Sequence, residues 1–214
     1  MKRLFMALSM GVVIFSTSFS WAIVVNGIVD SGEWDSYYKF QDTNDVYTPP
    51  DETNIQWLWL GSGPSVVFRF DTLADPAVTY EYSYCPIYLD FNNDGSLEYS
   101  IYFGKPGWDT KLRGLTIAQV YRWTSPTTGY YIGDGQAACD EIIEIEVPGW
   151  YFSDYAPLGA KTDVWVQARV DNNDGPADDT IGWLKTDITV TPEPSTMALV
   201  GLGIAGLAAR RRKK

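Results

Sequence analysis

The chain contains no histidine among its 214 residues. This absence excludes Ser-His-Asp triads, Cys-His dyads, zinc sites with imidazole ligands and histidine general bases. Cysteine is nearly absent as well, with only Cys85 and Cys139 present. In an exported protein these two cysteines are expected to form one disulfide, because only one pairing exists, and two buried thiols are the alternative.

Basic residues are scarce between residues 23 and 190, where nine Lys and Arg stand against 26 Asp and Glu. This negative charge repels nucleic acid and anionic lipid, and it favours solubility and cation binding. The same part of the sequence also lacks helical periodicity. Aromatic and β-branched residues are abundant there, so this part is not expected to be disordered.

Both ends of the chain carry membrane-directed segments. Lys2 and Arg3 precede a mostly apolar run that ends in Ser-Trp-Ala, with small residues at the −3 and −1 positions of a cleavage site. Residues 1–22 are therefore predicted to be a secretory signal peptide, and an uncleaved anchor is the alternative. At the other end, the 13 uncharged residues 197–209 precede five Arg and Lys. They predict a short membrane helix, about 20 Å long at ~1.5 Å per residue, with its basic end in the cytoplasm.

Residues Pro192, Glu193 and Pro194 stand just before this apolar segment. The combination of the three residues, the apolar segment and the basic end resembles the PEP-CTERM sorting signal. The resemblance implies cleavage by an exosortase in the envelope of a Gram-negative bacterium, so that the helix is in the membrane only transiently. It also implies a link to extracellular polymer and biofilm. The predicted organisation is a signal peptide (1–22), one exported domain (23–190) and a sorting segment (191–214).

Apolar and polar residues alternate with a period of two through the exported domain. Phe68 and Phe70, for example, alternate with Arg69 and Asp71. About ten short strands separated by turns predict an all-β fold, and specifically an antiparallel β-sandwich. The predicted strands are 23–29, 55–60, 65–71, 78–91, 97–103, 117–123, 128–132, 141–147, 164–170 and 180–190.

Five short motifs are spread along this domain. They are Val25-Asn26-Gly27, Gly32-Glu33-Trp34, Phe68-Arg69-Phe70-Asp71-Thr72, Ile87-Tyr88-Leu89-Asp90 and Tyr121-Arg122-Trp123. Together they resemble family 9 carbohydrate-binding modules and related DOMON-like, jelly-roll sandwiches. The resemblance implies glycan binding. The paired aromatic clamp of that family has no counterpart that can be assigned residue by residue in this sequence.

One turn has the residues of a calcium loop. Oxygen-bearing side chains occupy positions 1, 3, 5 and 9 of the pattern: Asp90, Asn92, Asp94 and Glu98. Gly95 occupies position 6, where the chain must turn sharply. Position 12 is Ile101 rather than Glu, so the turn is not an EF-hand. The residues predict a Ca²⁺ site of modest affinity, and a plain hairpin turn is the alternative.

The tripeptide Pro-Gly-Trp occurs twice, ending at Trp108 and at Trp150, and Tyr151 follows the second copy. Each copy follows a predicted strand, so both tryptophans are expected on loops, where planar rings can stack on sugars. Trp108, Trp150 and Tyr151 are therefore candidate glycan contacts, and rings that cap the end of the sandwich are the alternative. In a simple meander the two loops would lie at opposite ends and could not form one site.

Two carboxylates, Glu144 and Glu146, share a face of a predicted strand, about 6.7 Å apart by strand rise. This spacing approaches the carboxyl separation of inverting glycosidases, but a solvated strand face is the simpler interpretation. The sequence therefore predicts a non-catalytic exported protein that binds glycan or associates with the extracellular matrix. A purely structural surface protein is the first alternative, and a glycoside hydrolase is the second.

Overall fold

The computed structural model describes residues 25–28, 34, 37–42, 54–73, 85–103, 114–170 and 179–192. The predicted signal peptide and the sorting segment beyond Pro192 lie outside these residues. Within the described ranges, no helix is long and apolar enough to cross a membrane. Their regular structure consists of strands and one short 3-10 helix, Gly149–Phe152. The predicted all-β class is confirmed.

Ten strands make up the described part of the domain. They are β1 (Tyr38–Gln41), β2 (Ile55–Ser62), β3 (Ser65–Thr72), β4 (Cys85–Asp90), β5 (Tyr99–Phe103), β6 (Gly114–Ser125), β7 (Thr128–Cys139), β8 (Ile143–Pro148), β9 (Lys161–Val170) and β10 (Asp179–Thr189). Nine of them overlap predicted strands, because the period-two pattern persists wherever one face is buried. The pattern does not predict β1. The strand predicted at 23–29 is wrong for residues 25–28, which are irregular.

All ten strands belong to one sheet in the order β1-β2-β3-β8-β7-β6-β5-β4-β9-β10, and every neighbouring pair is antiparallel. The sheet nearly closes on itself, because β10 returns alongside β2. Ile55 N–H donates to Asp179 Oδ2 at 2.6 Å, and Thr189 N–H donates to Ser62 Oγ at 3.0 Å. These side-chain acceptors satisfy backbone N–H groups where the two edge regions of the sheet meet.

One hydrophobic core fills the inside of the curved sheet. Ile87 and Leu89 on β4, and Ile101 and Phe103 on β5, are at most 1% exposed and alternate with outward-facing residues. Burying each such side chain contributes about 1.5–3 kcal/mol, which favours a sheet curved around its apolar face over a flat one. β-bulges between β6 and β7, and between β9 and β10, accompany this curvature.

The two ends of the sheet carry different connections. One end carries the turns at 62–65, 90–98 and 125–128, the segment 149–160 and the end of β10. We call it the exit end, because the sorting segment follows β10. The opposite end carries the β7–β8 turn and the adjoining ends of β5 and β6, the strands on either side of Trp108.

The predicted disulfide between Cys85 and Cys139 is not formed in the structure, although both cysteines are described and buried. Cys85 begins β4 and Cys139 ends β7, and β5 and β6 lie between these strands. Both side chains belong to the same hydrophobic core, so the fold directs the two cysteines to the interior of one curved sheet. The structure contains no bond between them, and the disulfide stays a prediction.

Candidate functional site

The turn between β4 and β5 is organised by the carboxylate of Asp90. Asp90 Oδ1 accepts the N–H groups of Asn92 and Asn93 at 3.1 and 2.6 Å, and Oδ2 accepts Gly95 N–H at 3.0 Å. Asn93 and Gly95 have φ angles of 57° and 81°, a region that Asn and Gly tolerate best. The chain forms a hairpin here, as both the calcium site and the plain turn require, and the carboxylate of Asp90 points into the turn.

Three carboxylates converge in this turn. Asp90, Asp94 and Glu98 each offer an oxygen within 4.8 Å of the others, and Asp90 and Glu98 are buried. Glu98 Oε2 accepts Phe91 N–H at 2.7 Å, and Oε1 accepts the Asn92 side-chain amide at 2.8 Å. Burial raises the pKa of Glu98 above its ordinary value of 4.5. Among the described residues, no lysine or arginine forms an ion pair with the three carboxylates.

The donor set of this turn suits a hard cation. Carboxylate oxygens are the ligands that Ca²⁺ prefers, and each can bind a cation while still accepting a backbone N–H. The predicted residues Asp90, Asp94 and Glu98 are therefore brought together. The Asn92 amide is committed to the turn itself, because its oxygen accepts Asp94 N–H at 2.9 Å and its nitrogen donates to Glu98.

A row of aromatic rings crosses the outer face of the sheet. It consists of one tyrosine from each of β4, β5, β6 and β7, and we call it the tyrosine row: Tyr88, Tyr102, Tyr121 and Tyr131. Successive ring centroids lie 6.3, 5.7 and 5.8 Å apart, and neighbouring rings meet edge to face. The first three rings are half-buried, and the last is 49% exposed. The row therefore presents a continuous aromatic surface to solvent on a rigid sheet.

The tyrosine row faces outward because its members alternate with core residues. Tyr88 lies between Ile87 and Leu89, and Tyr102 lies between Ile101 and Phe103, all of which pack in the core. Side chains one position apart on a strand point to opposite faces of the sheet. The sequence therefore contained the signal for this surface, as outward-facing tyrosines on strands that pair. These tyrosines lie on strands, so the expectation of loop aromatics did not include them.

Polar groups accompany the rings on the same face. Tyr121 O–H donates to Gln119 Oε1 at 3.2 Å, and Trp123 Nε1–H donates to the buried Ser100 Oγ at 2.8 Å. A hydrogen bond to Asp134 raises the pKa of Tyr131. Hydroxyl, amide and carboxylate groups thus lie beside the aromatic surface, where they can exchange hydrogen bonds with a hydroxyl-rich ligand.

Trp150 and Tyr151 lie in the 3-10 helix at the exit end. Trp150 is 57% exposed, and its ring lies 4.2 Å from the ring of Tyr151. Tyr151 O–H donates to the Asp134 backbone oxygen at 3.2 Å. Asp134 therefore joins this pair to Tyr131 at the end of the tyrosine row. The expected exposure of Trp150 is confirmed, although the residue lies in a short 3-10 helix rather than in a loop.

Trp108 lies outside the described residues. β5 and β6, which flank it in the sequence, adjoin at the opposite end of the sheet from Trp150. The two Pro-Gly-Trp copies therefore follow strands that end at opposite ends of the domain, as a meander predicts.

Glu144 is fully buried, so the expectation of a solvated face for both glutamates is wrong. Its Oε2 accepts the backbone N–H groups of Asn26 and Gly27 at 3.0 and 2.9 Å, and its Oε1 accepts Trp34 Nε1–H at 3.1 Å. Glu146 is half-buried and two residues further along the strand. A substrate cannot reach Glu144, so these two carboxylates do not form a glycosidase pair. Glu144 instead holds the N-terminal residues against the outer face of the sheet.

Comparison with known families identifies one segment of the chain. Residues 190–213 match the PEP-CTERM protein-sorting motif. The predicted sorting signal is confirmed. The motif indicates an exported cell-surface protein of a Gram-negative bacterium and implies processing by an exosortase. No curated protein and no solved structure matches the chain. The resemblance to family 9 carbohydrate-binding modules stays a prediction.

Proposed function

We propose that the exported domain is a non-catalytic module that binds neutral polysaccharide in the extracellular matrix through the tyrosine row. The observation that carries this proposal is the row itself, four rings on four adjacent strands at centroid spacings of 5.7 to 6.3 Å. Aromatic rings stack on the apolar faces of sugars, and the flanking polar groups bind hydroxyls. The acidic charge of the domain favours a neutral polymer over an anionic one.

The architecture suits an extended ligand better than a small one. The row crosses β4, β5, β6 and β7, so its spacing is fixed by strand pairing rather than by loops. Trp150 and Tyr151 continue the aromatic surface beyond Asp134 and serve as a second contact. Trp108 stays a predicted contact. We further propose that the two halves of the curved sheet act as the layers of a DOMON-like sandwich.

Binding is expected to show as slower migration in native gels that contain a neutral polysaccharide. The double variant Tyr102→Ala and Tyr121→Ala removes the two central rings. Each stacked ring contributes about 1–3 kcal/mol by analogy with bases stacked on aromatic side chains, so the double variant should lose most of the retardation. The measurement is relative mobility at several polymer concentrations, which gives an apparent affinity.

The matched control for this test is Tyr130→Ala. Tyr130 is 43% exposed and adjacent to Tyr131, but it points to the opposite face of the strand. This variant should migrate as the wild type does. Equal retardation of the wild type and the double variant would remove the tyrosine row from the account, and the absence of retardation by any polysaccharide would favour the structural alternative.

Calcium is the proposed cofactor, bound by Asp90, Asp94 and Glu98 at the β4–β5 turn. The affinity is expected in the extracellular range, about 0.1 to 1 mM. Millimolar Ca²⁺ should raise the melting temperature, because a cation that binds the folded state stabilises it. Asp94→Ala should abolish the rise, whereas Glu141→Ala, at an exposed carboxylate of the opposite end, should preserve it. Scanning calorimetry with Ca²⁺ or with a chelator measures both.

The calcium effect should depend on pH in a defined direction. Burial raises the pKa of Glu98, so in the folded state without Ca²⁺ this carboxyl takes up a proton at a higher pH than in the unfolded chain. Ionisation of Glu98 therefore lowers the free energy of unfolding of the Ca²⁺-free protein as the pH rises from 4.5 through the folded-state pKa. Ca²⁺ binds the ionised form, so the rise in melting temperature should be full at pH 7 and vanish at pH 4. A rise that is equal at both pH values would contradict the assignment of Glu98 as a ligand.

The sorting segment is proposed to insert into the membrane before it is processed. Its 13 uncharged residues and five terminal Arg and Lys support this orientation, with the domain on the outer side. A purely structural surface protein remains the second candidate function. The exposed aromatic residues would then mediate self-association, and sedimentation without polysaccharide would detect it.

A further inference from the structure

The sorting motif begins inside the folded domain rather than after a linker. Its match starts at residue 190, and Val190 is fully buried in the core. The Val190 backbone oxygen accepts Gly159 N–H at 2.7 Å, and Thr191 N–H donates to the Gly63 oxygen at 2.9 Å. Thr191 is therefore held against the exit end by the backbone of the β2–β3 turn.

Only five residues, 192–196, separate this fixed point from the apolar segment that starts at Met197. Even a fully extended chain spans at most about 3.6 Å per residue, so the six steps from Thr191 to Met197 limit the tether to about 22 Å. The headgroup region on each side of a bilayer occupies several ångströms of that length, since it adds about 10–15 Å in total. If the apolar segment is in the membrane, the exit end must lie close to the lipid surface.

Two large apolar side chains flank the point where the chain leaves the domain. Trp150 and Leu158 are each 57% exposed, the highest values among the large hydrophobic residues that the structure describes. Gly149, next to Trp150, packs so closely that a Cβ there would lie 2.9 Å from Val190 Cγ1. Gly159, next to Leu158, donates the hydrogen bond to Val190. Trp150 and Leu158 are therefore each adjacent in sequence to a glycine that contacts Val190.

The charges beside this apolar pair are paired within the domain. Asp154 forms an ion pair with Arg122, and Lys161 forms one with Asp187 at 2.9 Å. The acidic turn at 90–98 lies at the same end and opposes anionic lipid. A zwitterionic lipid surface is thus the chemistry that fits the exit end. Tryptophan also prefers the membrane–water interface to either phase.

From these observations we infer that the exit end docks on the membrane surface while the sorting segment is attached, with Trp150 and Leu158 at the lipid interface. The inference rests on the proposed insertion of the sorting segment. It fixes the orientation of the domain before processing and confines the exosortase to the five-residue tether. Cleavage would then release Trp150 from lipid and free it to extend the polysaccharide-binding surface.

The test uses the chain that ends at Lys214, reconstituted into phosphatidylcholine vesicles with brominated acyl chains, which quench nearby tryptophans. The wild type should be quenched, and Trp150→Phe should lose most of that quenching. Trp183→Phe, which removes another ring that is 44% exposed, should leave it unchanged. An insertion of about ten Gly and Ser residues after Thr191 should also reduce quenching, because the longer flexible tether lets the domain leave the surface.

Flotation of the vesicles tests the membrane insertion of the sorting segment separately from the docking of the exit end. A protein that does not float with the vesicles would overturn the membrane insertion and the docking that depends on it. If the protein floats but the Trp150→Phe variant is quenched as strongly as the wild type, the docking alone would be overturned. Circular dichroism should match among the variants, because both tryptophans are exposed and their replacement leaves the core intact.

Discussion

Replacing Glu144 by alanine is expected to lower the free energy of unfolding by about 3–5 kcal/mol. The carboxylate accepts three N–H groups, from Asn26, Gly27 and Trp34, and it is fully buried with two of those donors. Each buried donor left without an acceptor costs about 1–3 kcal/mol, and the cavity left by the side chain adds to this. Trp34 and Val25 would also lose the anchor that holds them on the outer face, where they pack with Val67.

Urea denaturation of the protein without its sorting segment measures this effect, with the midpoint falling at an unchanged slope. Glu144→Gln should lose less stability, because one oxygen acceptor remains. Glu146→Ala, two residues away on the same strand, should change stability by no more than about 0.5 kcal/mol, since the side chain is half-buried. If Glu144→Ala and Glu146→Ala unfolded at the same urea concentration, Glu144 would not be the anchor described above.

A version of the protein that ends at Val190 is expected in the culture medium rather than in the envelope. It lacks the whole match to the sorting motif apart from its first residue, together with the apolar segment and the basic end. The fold should persist, because β10 and Val190 remain, and the backbone hydrogen bond that Thr191 donates to Gly63 lies outside the strands. Immunoblots of medium and membrane fractions measure the distribution.

A second variant separates the sorting motif from the apolar segment. Changing Pro192, Glu193 and Pro194 to alanine leaves the segment and its basic end in place, so the protein should stay membrane-bound at full length. The wild type should instead appear as a shortened form. Equal retention of the truncated and complete chains in the envelope would contradict the role given to the sorting segment.

The strands could be read from the sequence because their alternation is local. Phe68 and Phe70 point to the same face of their strand, and this holds whatever position the strand has in the sheet. The turn at residues 90–95 likewise depends on its own residues, among them Asn93 and Gly95 with positive φ angles. The role of Glu144 could not be read in this way. Its three partners lie 110 to 118 residues earlier in the chain, so a buried anchor and a solvated glutamate have the same local pattern.

The candidate binding surface depended on register, which the sequence leaves open. Tyr102 and Tyr121 become neighbours only because Ser100 pairs with Tyr121 and Tyr102 pairs with Gln119. A shift of one residue would turn every side chain of that strand to the other face. An exported context likewise says nothing about how the fold places Cys85 and Cys139, which share one core without a bond between them.

The most direct test of polysaccharide binding is the dependence of affinity on ligand length. Oligosaccharides of increasing length, prepared from the polymer that retards the protein in gels, can be titrated by calorimetry. The tyrosine row predicts that affinity rises from a disaccharide upward until the ligand covers all four rings, and that the Tyr102→Ala and Tyr121→Ala double variant flattens this rise. Equal affinity at every length, unchanged in the double variant, would contradict binding along the row.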